Sequence, residues 1–217
     1  MSKSSFWDRS WNSISGDRVL SYVEQFDYSA DEIIRFLRER EFRSICDAGC
    51  GCGVYALKLA ANGFSVSGFD VSESAVALTK KLLSEKGYPA EAFRTGDVLA
   101  TGCADGQFDA VVSRDVIDHM PIKQGAAAVA ELLRIVRPGG CVLLTLDGTD
   151  AEYESERHTV NEDGDYIFTG GKWNGMIFHP YSQNDVEKLT QGHGSRLLSA
   201  SESGFLVALE KGKFLPA

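Results

Sequence analysis

ICDAGCGCGVYALKLAANGFSVSGFD, residues 45–70, is the stretch that decides the fold prediction. An apolar run over 43–48 predicts a buried strand, and residues 54–62 predict a helix that ends at Gly63. Residues 64–70 predict a second strand. A strand, a glycine-rich loop, a helix and another strand form a βαβ unit with two parallel strands.

The loop inside this unit has the composition of a ligand site. In an open α/β sheet, ligands bind beyond the carboxyl ends of the strands. Gly49, Gly51 and Gly53 let the chain turn sharply and let a ligand approach the backbone. Asp70 ends the second strand, where a carboxylate can accept both hydroxyls of a ribose. The loop and the acid together predict a nucleoside-binding site.

The spacing of the glycines bears on which nucleoside binds. Dinucleotide sites favour G-x-G-x-x-G, which leaves room for a pyrophosphate. Here the spacing is G-x-G-x-G, and Asp47 precedes it. A carboxylate repels a pyrophosphate but suits a ligand that carries an ammonium or sulfonium group.

Further strands and helices alternate along the rest of the chain. Strands are predicted at 91–96, 107–113 and 141–147, with helices after Ser72 and Pro121. Residues 195–200 and 204–209 are joined by too short a connection for a parallel crossover, so they predict an antiparallel hairpin. We therefore expect an α/β fold: a Rossmann-like, seven-stranded mixed sheet with five parallel strands, a C-terminal antiparallel hairpin and helices on both faces.

Two segments lie outside this core. We expect one domain over 1–217, with an N-terminal helical lid at 1–41 and a substrate lid inserted at 148–181. Both are rich in aromatic residues, which either wall an acceptor pocket or anchor the lids on the core. These residues are Phe6, Trp7, Trp11, Tyr22, Phe26 and Tyr28 in the first segment and Tyr166, Phe168, Trp173, Phe178 and Tyr181 in the second.

At this point the chain resembles the class I methyltransferases that depend on S-adenosylmethionine (SAM), and among them the small stand-alone members with a type 11-like domain. The resemblance covers roughly residues 42–212. It rests on the loop with Asp70, on Gly96-Asp97-Val98, on 108–120 (FDAVVSRDVIDHM), on 132–144 (LLRIVRPGGCVLL) and on the terminal hairpin.

The resemblance implies SAM as the cofactor and assigns roles by position. The loop, with Asp47, Gly49, Cys50 and Gly51, would line the methionine part of SAM, and Asp70 would hold the ribose. The remaining assignments are adenine for Val71, Asp97 and Val98, and the methionyl tail for Ser113 and Arg114. Asp97 as a turn-forming residue and Arg114 as a partner in an ion pair remain alternatives.

The candidate general base is His119, which Asp118 could orient. A base is needed only if the acceptor is protonated, because the methyl group of a sulfonium is already activated. The alternative is that His119 only forms part of the pocket wall. His179, in the insertion, is a second and weaker candidate.

The composition of the chain disfavours several kinds of binding partner and location. The net charge is −9 and no basic run occurs, which disfavours nucleic acid. No apolar run is long enough to span a membrane, and no secretory signal precedes residue 12. The odd number of cysteines, five, argues against a disulfide framework, and their spacing predicts no metal site. We expect a cytoplasmic protein whose oligomeric state the sequence leaves open.

An acidic run follows the fifth predicted strand. It is either a solvated loop or an electronegative mouth that favours a cationic acceptor such as an amine. Its eight acidic residues, against one Arg157, are Asp147, Asp150, Glu152, Glu154, Glu156, Glu162, Asp163 and Asp165.

The sequence is consistent with more than one function. The first is methyl transfer from SAM to a small-molecule acceptor. The second is a protein that binds SAM or S-adenosylhomocysteine (SAH) without turnover, as a sensor or partner subunit. A protein or RNA methyltransferase and a nicotinamide-dependent oxidoreductase complete the alternatives, and the glycine spacing counts against the oxidoreductase.

Overall fold

The computed structural model describes residues 3–15, 18, 19, 21, 28–201 and 203–212. Of the aromatic residues expected in the N-terminal lid, Tyr22, Phe26 and the side chain of Tyr28 lie outside this description. No helix within these ranges is long and apolar enough to cross a membrane.

A seven-stranded sheet forms the centre of the fold, in the order β3-β2-β1-β4-β5-β10-β9. Strands β1 to β5 are parallel, and β10 and β9 are antiparallel to their neighbours. The expected mixed sheet is confirmed. Its strands are β1 (Ser44–Ala48), β2 (Ser65–Asp70), β3 (Phe93–Thr95), β4 (Phe108–Arg114), β5 (Val136–Asp147), β9 (Gly194–Ser201) and β10 (Gly204–Glu210).

Helices cover both faces of this sheet, as the sequence predicts. Because side chains alternate along a strand, Val111 joins the core under α5 and α7, whereas Ala110 and Val112 join the core under α2 and α3. The helices are α1 (Lys3–Asn12), α2 (Tyr28–Glu39), α3 (Val54–Ala61), α4 (Glu73–Glu85), α5 (Ile122–Ile135), α6 (Ala151–Ser155) and α7 (Gln183–Thr190).

The start of β5 differs from the prediction. We expected residues 137–140 to separate helix from strand, but the strand begins at Val136, directly after α5. The ladder shifts register there, so that Val136 lies opposite Phe108 and Cys141 opposite Ala110. Gly139 donates to the Lys211 carbonyl, and Gly140 accepts from the Lys211 N–H, both at 2.9 Å. Residues 139 and 140 therefore belong to the sheet, at the amino end of β5, and are bonded to the residue that follows β10.

The insertion contains a small sheet of its own, which the sequence reading missed. Strands β6 (His158–Val160), β7 (Tyr166–Phe168) and β8 (Ile177–Phe178) pair antiparallel in that order. A 3₁₀ turn, Gly171–Trp173, lies between β7 and β8. Strands of two or three residues carry almost no periodicity, so the pattern could not reveal them.

The topology places the ligand-binding end of the molecule. The carboxyl ends of β1, β2, β4 and β5 meet on one side, and the strand order reverses between β1 and β4. Trp7 on α1 and Tyr153 on α6 both lie over this side. The single-domain organisation with lids at 1–41 and 148–181 stays a prediction.

Candidate functional site

A cavity of about 560 Å³ opens at the carboxyl ends of the strands. Its volume lies within the range of small-molecule sites. Ten of the eleven residues assigned above to the site line it: Asp47, Gly49, Cys50, Gly51, Asp70, Val71, Asp97, Val98, Arg114 and His119. The roles of these residues remain predictions, but the fold brings them to one place.

Gly49 opens the loop at the end of β1 in a left-handed conformation, with φ of 85°. A Cβ atom at this position would overlap the side chain of Val116. The N–H groups of Gly49 and Cys50 both donate to the Phe69 carbonyl, at 2.8 and 3.0 Å. The loop is therefore fixed to β2, and glycine is the residue that fits there.

Asp70 is locked in place by backbone donors. Its Oδ2 accepts from the Gly51 N–H and its Oδ1 from the Ser72 N–H, each at 2.9 Å. Burial raises the pKa of this carboxyl, while the hydrogen bonds from Ser72 and Gly51 oppose the shift. Ser72 in turn caps α4 by accepting from the Ala75 N–H. The acid is thus pre-oriented beside the loop.

Asp47 stands deeper, only 2% exposed, at the end of β1. Burial and the nearby Asp70 raise its pKa to about 7, and Arg114 partly offsets this. Its Oδ2 has no hydrogen-bond partner among the described residues. A buried carboxylate oxygen without a donor favours a cationic ligand group at this point.

Asp97 follows β3 and forms the turn that the alternative reading expected. Its Oδ1 accepts from the Leu99 N–H at 2.9 Å, and its backbone bridges to Ala100. Asp97 and Val98 also line the cavity, so the turn and a contact with ligand are compatible.

The side chains of Ser113 and Arg114, at the end of β4, lie in different places. Arg114 lines the cavity, with its guanidinium 4.2 Å from the centre of the Tyr55 ring and 3.1 Å from Asp115 Oδ2. Ser113 does not line the cavity, and its hydroxyl is buried. Neighbouring side chains of a strand point to opposite faces, which is why the two cannot both face the ligand.

His119 lies in the cavity wall among aromatic rings. Its ring centre is 4.9 Å from that of Trp7, 5.7 Å from Phe178 and 6.2 Å from Tyr153. Burial lowers its pKa, against the attraction of Asp115 and Asp147, so the ring is favoured in the neutral form that can accept a proton. The Asp118 carboxylate does not orient it, because no bond joins the two side chains in the described structure.

The other histidine that we singled out lies apart from the cavity. His179 is 4% exposed, and its Nδ1 is 2.9 Å from Asp165 Oδ1. Its backbone N–H donates to the Asp118 carbonyl at 2.7 Å. It therefore ties the insertion to the segment after β4 and does not face the ligand side.

A cluster of three carboxylates at the cavity was not recognised in the sequence. One oxygen each of Asp115, Asp118 and Asp147 lies within 4.8 Å of the others. Burial and the neighbouring acids raise the pKa of Asp147 to about 7 and that of Asp118 well above its usual range. The signal was available, because β4 and β5 are adjacent parallel strands and these acids follow their carboxyl ends.

The acidic run 147–165 divides into different roles. Asp147 and Asp150 line the cavity, whereas Glu152 and Asp163 form ion pairs with Lys172 and Lys123. Glu154 and Glu162 are exposed. The run thus divides between the cavity wall and the solvated surface, and its preference for a cationic acceptor stays a prediction.

The lid segments contribute aromatic rings to the cavity. Trp7 and Trp11 come from α1, and Tyr153 and Trp173 come from the insertion. Trp11 lies against the glycine loop, since a Cβ on Gly51 would be 3.0 Å from its ring. Asp8, on the same helix, accepts from the Ser72 hydroxyl at 2.6 Å. The helix therefore packs on the loop and on the start of α4.

Comparison with known families finds a match over part of the chain. Residues 45–140 match the family model described as a methyltransferase domain. The ubiquinone biosynthesis O-methyltransferase of Thiobacillus denitrificans is 32% identical over 103 residues, which cover 48% of this chain and 44% of that protein. The magnesium-protoporphyrin O-methyltransferase of Synechocystis is 29% identical over 134 residues, 56% of each chain. The chain thus spans about half the length of the curated relatives it matches.

Solved structures share the fold over most of the chain. Magnesium protoporphyrin IX methyltransferase from Synechocystis, solved with bound SAM, superposes with a TM-score of 0.65 and 18% identity, covering 97% of this chain and 98% of its own. A protein of Pyrococcus horikoshii gives a TM-score of 0.71 at 17% identity over 92% of this chain and 93% of its own. At such identities the likeness concerns the fold.

Proposed function

We propose that this chain, whose residues 45–140 match the family model of a methyltransferase domain, transfers the methyl group of SAM to a small-molecule acceptor. The observation that carries the proposal is the composition of one cavity. The cavity is lined by a glycine loop whose backbone a ligand can approach closely. It is also lined by Asp70, which is hydrogen-bonded to that loop, and by Asp47, a buried carboxylate with one oxygen that accepts no hydrogen bond among the described residues.

The residues present fit SAM. The unpartnered oxygen of Asp47 suits the positive charge of the methionine amino group or the sulfonium. Arg114, at the end of β4, suits the methionine carboxylate. Asp70 keeps acceptor capacity for ribose hydroxyls while two N–H groups fix its position. Asp97 suits the adenine amino group, with Val71 and Val98 beside the ring.

SAM, when bound, supplies a methyl group already activated for displacement by its sulfonium. The chain's own part is to position the acceptor and to keep water out. Trp7 and Trp11 from α1, with Tyr153 and Trp173 from the insertion, line the cavity as a mostly aromatic cover. These rings would hold an acceptor in the cavity and keep water from it, while SAM would supply the activated methyl group.

The test is mass-spectrometric. Purified protein is incubated with methyl-deuterated SAM and a metabolite extract, and SAH and deuterated products are measured together. We expect SAH to form in step with at least one deuterated small molecule. SAH binding without any product over the whole extract would favour the non-catalytic reading, and methylation confined to protein or RNA would contradict a small-molecule acceptor.

The role of His119 as a general base is a separate part of the proposal. Its lowered pKa and its place in the cavity wall support it. If it accepts a proton from the acceptor, His119→Ala lowers kcat by about 10²-fold or more and changes its dependence on pH. Unchanged turnover across pH would leave His119 as part of the wall.

We also propose that the protein works in a reducing compartment, the cytoplasm, without nucleic acid as a partner. Its five cysteines are unpaired and four of them are buried, which suits a chain that needs no disulfide. The net charge of −9 disfavours nucleic acid. Fractionation of cells that produce the tagged protein would check the location.

A further inference from the structure

The acceptor side of the cavity combines aromatic rings with carboxylates. Away from the glycine loop it is lined by Trp7, His119, Tyr153 and Trp173 and by the acids Asp115, Asp147 and Asp150. The rings form a connected wall, with centres 4.9 Å apart for Trp7 and His119 and 5.2 Å apart for Tyr153 and Trp173. Such a wall offers flat, electron-rich faces to a ligand.

The acids at this wall outnumber the positively charged side chains beside them. Asp115 is satisfied, since Thr145 donates to its Oδ1 at 2.5 Å and Arg114 lies 3.1 Å from its Oδ2. Asp118 stands behind it, fully buried, and its Oδ1 has no hydrogen-bond partner among the described residues. Asp147, like Asp115, lines the cavity. Burying several ionised acids beside one guanidinium is costly, so these acids are either held protonated, as the raised pKa values of Asp118 and Asp147 indicate, or stabilised by a further cation.

We propose that the methyl acceptor is an amine, bound as its ammonium ion by Asp147 and Asp115 with Asp118 behind them, and packed through its carbon skeleton against Trp7, Tyr153 and Trp173. This inference rests on the proposed function and names its class of acceptor. An apolar acceptor would leave the buried acids protonated and an anionic one would be repelled by them, whereas an ammonium group forms charged hydrogen bonds with the carboxylates and cation–π contacts with the rings.

The aromatic wall favours an organic cation over a metal ion. Ions such as Mg²⁺ take oxygen ligands at about 2.1 Å and usually keep waters, so aromatic faces add nothing to their binding. Ammonium N–H groups reach carboxylate oxygens at about 2.8 Å, which lets the oxygens spread further apart. One oxygen from each of the three acids lies within 4.8 Å of the others, which accommodates that spread.

The same acids provide the route for the proton. For an ammonium acceptor the base is Asp147 and not His119: the ammonium gives one N–H proton to the Asp147 carboxylate, and the nitrogen keeps the electron pair. That pair forms the new C–N bond while the C–S bond breaks, and its electrons stay on sulfur as the thioether of SAH. The raised pKa of Asp147, about 7, makes it a suitable base. The groups that act on it are Asp115, Asp118, His119 and Arg114.

The test compares two ligands of one shape in protein saturated with SAH. 2-Phenylethylamine is protonated at neutral pH and 2-phenylethanol is not. All three tryptophans, Trp7, Trp11 and Trp173, line the cavity, so their fluorescence reports its occupancy. We expect the amine to bind at least about tenfold more tightly than the alcohol. Equal binding of the two, or no binding of the amine at millimolar concentration, would overturn the inference.

Variants assign the effect to the acids. Asp147→Asn should lower the amine's affinity about tenfold and leave that of the alcohol unchanged. The matched control is Glu154→Gln, an exposed acid of the same run that is outside the cavity lining. If Glu154→Gln weakens the amine as much, the effect is general charge and the inference fails. Displacement of the amine by Mg²⁺, but not by NaCl of equal ionic strength, would assign the acids to a metal ion instead.

These outcomes are distinct from failure of the proposed function. Protein that does not bind SAH contradicts the proposed function itself. Deuterated products that are all O-methylated would leave that function standing and overturn the amine acceptor. Deuterated N-methyl products are the result expected here.

Discussion

At the scale of single residues, the site depends on acids held in unlike environments. Asp70 is oriented by two backbone N–H groups, whereas Asp47 has an oxygen without a donor. The pKa of Asp47 rises to about 7, so its charge at neutral pH is incomplete until a cation arrives. Each acid therefore suits a different part of the same ligand.

The raised pKa of Asp47 predicts a pH-dependent affinity. A bound cation favours the ionised carboxylate, so the affinity for SAM should rise as the pH increases through about 7, with proton release on binding below that value. Calorimetry between about pH 6 and pH 8, in buffers of different ionisation enthalpy, measures both effects. Asp47→Asn should weaken binding and remove most of the pH dependence. If Asp47→Asn keeps it, another group is responsible.

The loop glycine Gly49 allows a matched stability test. Gly49→Ala meets both a left-handed backbone and the Val116 side chain, so we expect a loss of about 2–4 kcal/mol. Gly63 has nearly the same φ, 87° against 85°, but nothing lies within 4 Å of an added Cβ. Gly63→Ala should cost only about 1–2 kcal/mol. Denaturant unfolding measures the free energy of unfolding of both variants. Equal losses would show that the contact between an added Cβ at Gly49 and Val116 does not reduce stability.

The sequence predicts which residues reach the cavity wherever a motif places them at the end of a strand. The loop, Asp70, Asp97 and Arg114 all reach the cavity. Ser113 does not line the cavity, because the side chains of neighbouring strand residues point to opposite faces. The carboxylates at 115, 118 and 147 were missed because their meeting depends on β4 and β5 being neighbours, which no single motif states.

At the scale of elements, helix α1 behaves as part of the site. Its Trp11 lies against Gly51, and its Asp8 accepts from Ser72 at the start of α4. We predict that Trp11→Ala raises the Kd for SAH about tenfold, since a large aromatic contact is lost. Trp11→Phe is the control and should keep most of the affinity. Unchanged binding in Trp11→Ala would mean that α1 does not cover the ligand.

The insertion is held by a buried acid. Asp165 accepts from the Ile122 N–H at 3.0 Å and from Asn161 at 2.9 Å, and it contacts His179 at 2.9 Å. Asp165→Ala leaves these groups without a partner, so we expect a local loss of about 2–4 kcal/mol. Amide exchange over 158–181 should accelerate accordingly.

The control for this variant is Asp163→Ala, which breaks an ion pair with Lys123, a residue whose side chain is 73% exposed. An exposed pair contributes at most about 1 kcal/mol, so exchange over the same segment should hardly change. Equal acceleration in the two variants would contradict the role given to Asp165.

The strands of the central sheet and the helices between them were predicted, whereas helix α7 and the short strands of the insertion were not. Helices α4 and α5 carry clear periodicity and a start signal, and the hairpin of β9 and β10 follows from its short connection. The three strands of the insertion have only two or three residues each, and they form because β7 can pair on both sides. Tertiary pairing, not local pattern, decides such elements.

At the scale of the whole molecule, the sheet order places both halves of the chemistry at one edge. β1 and β2 bring the loop and Asp70, while β4 and β5 bring Arg114, Asp115 and Asp147. The reversal of strand order between β1 and β4 opens the crevice between the two halves. The mixed sheet itself could be predicted, because βαβ order and one short hairpin leave few arrangements.

The most direct measurement of the central claim is calorimetric titration of the purified chain with SAH, with NAD as the competing nucleoside ligand. We predict one SAH site per chain with a Kd of about 1–100 μM, no heat with NAD, and a loss of affinity of at least about tenfold in Asp70→Ala, where the ribose would lose its acceptor. Binding of NAD without binding of SAH, or SAH affinity that Asp70→Ala leaves unchanged, would contradict the claim that this cavity is a SAM site.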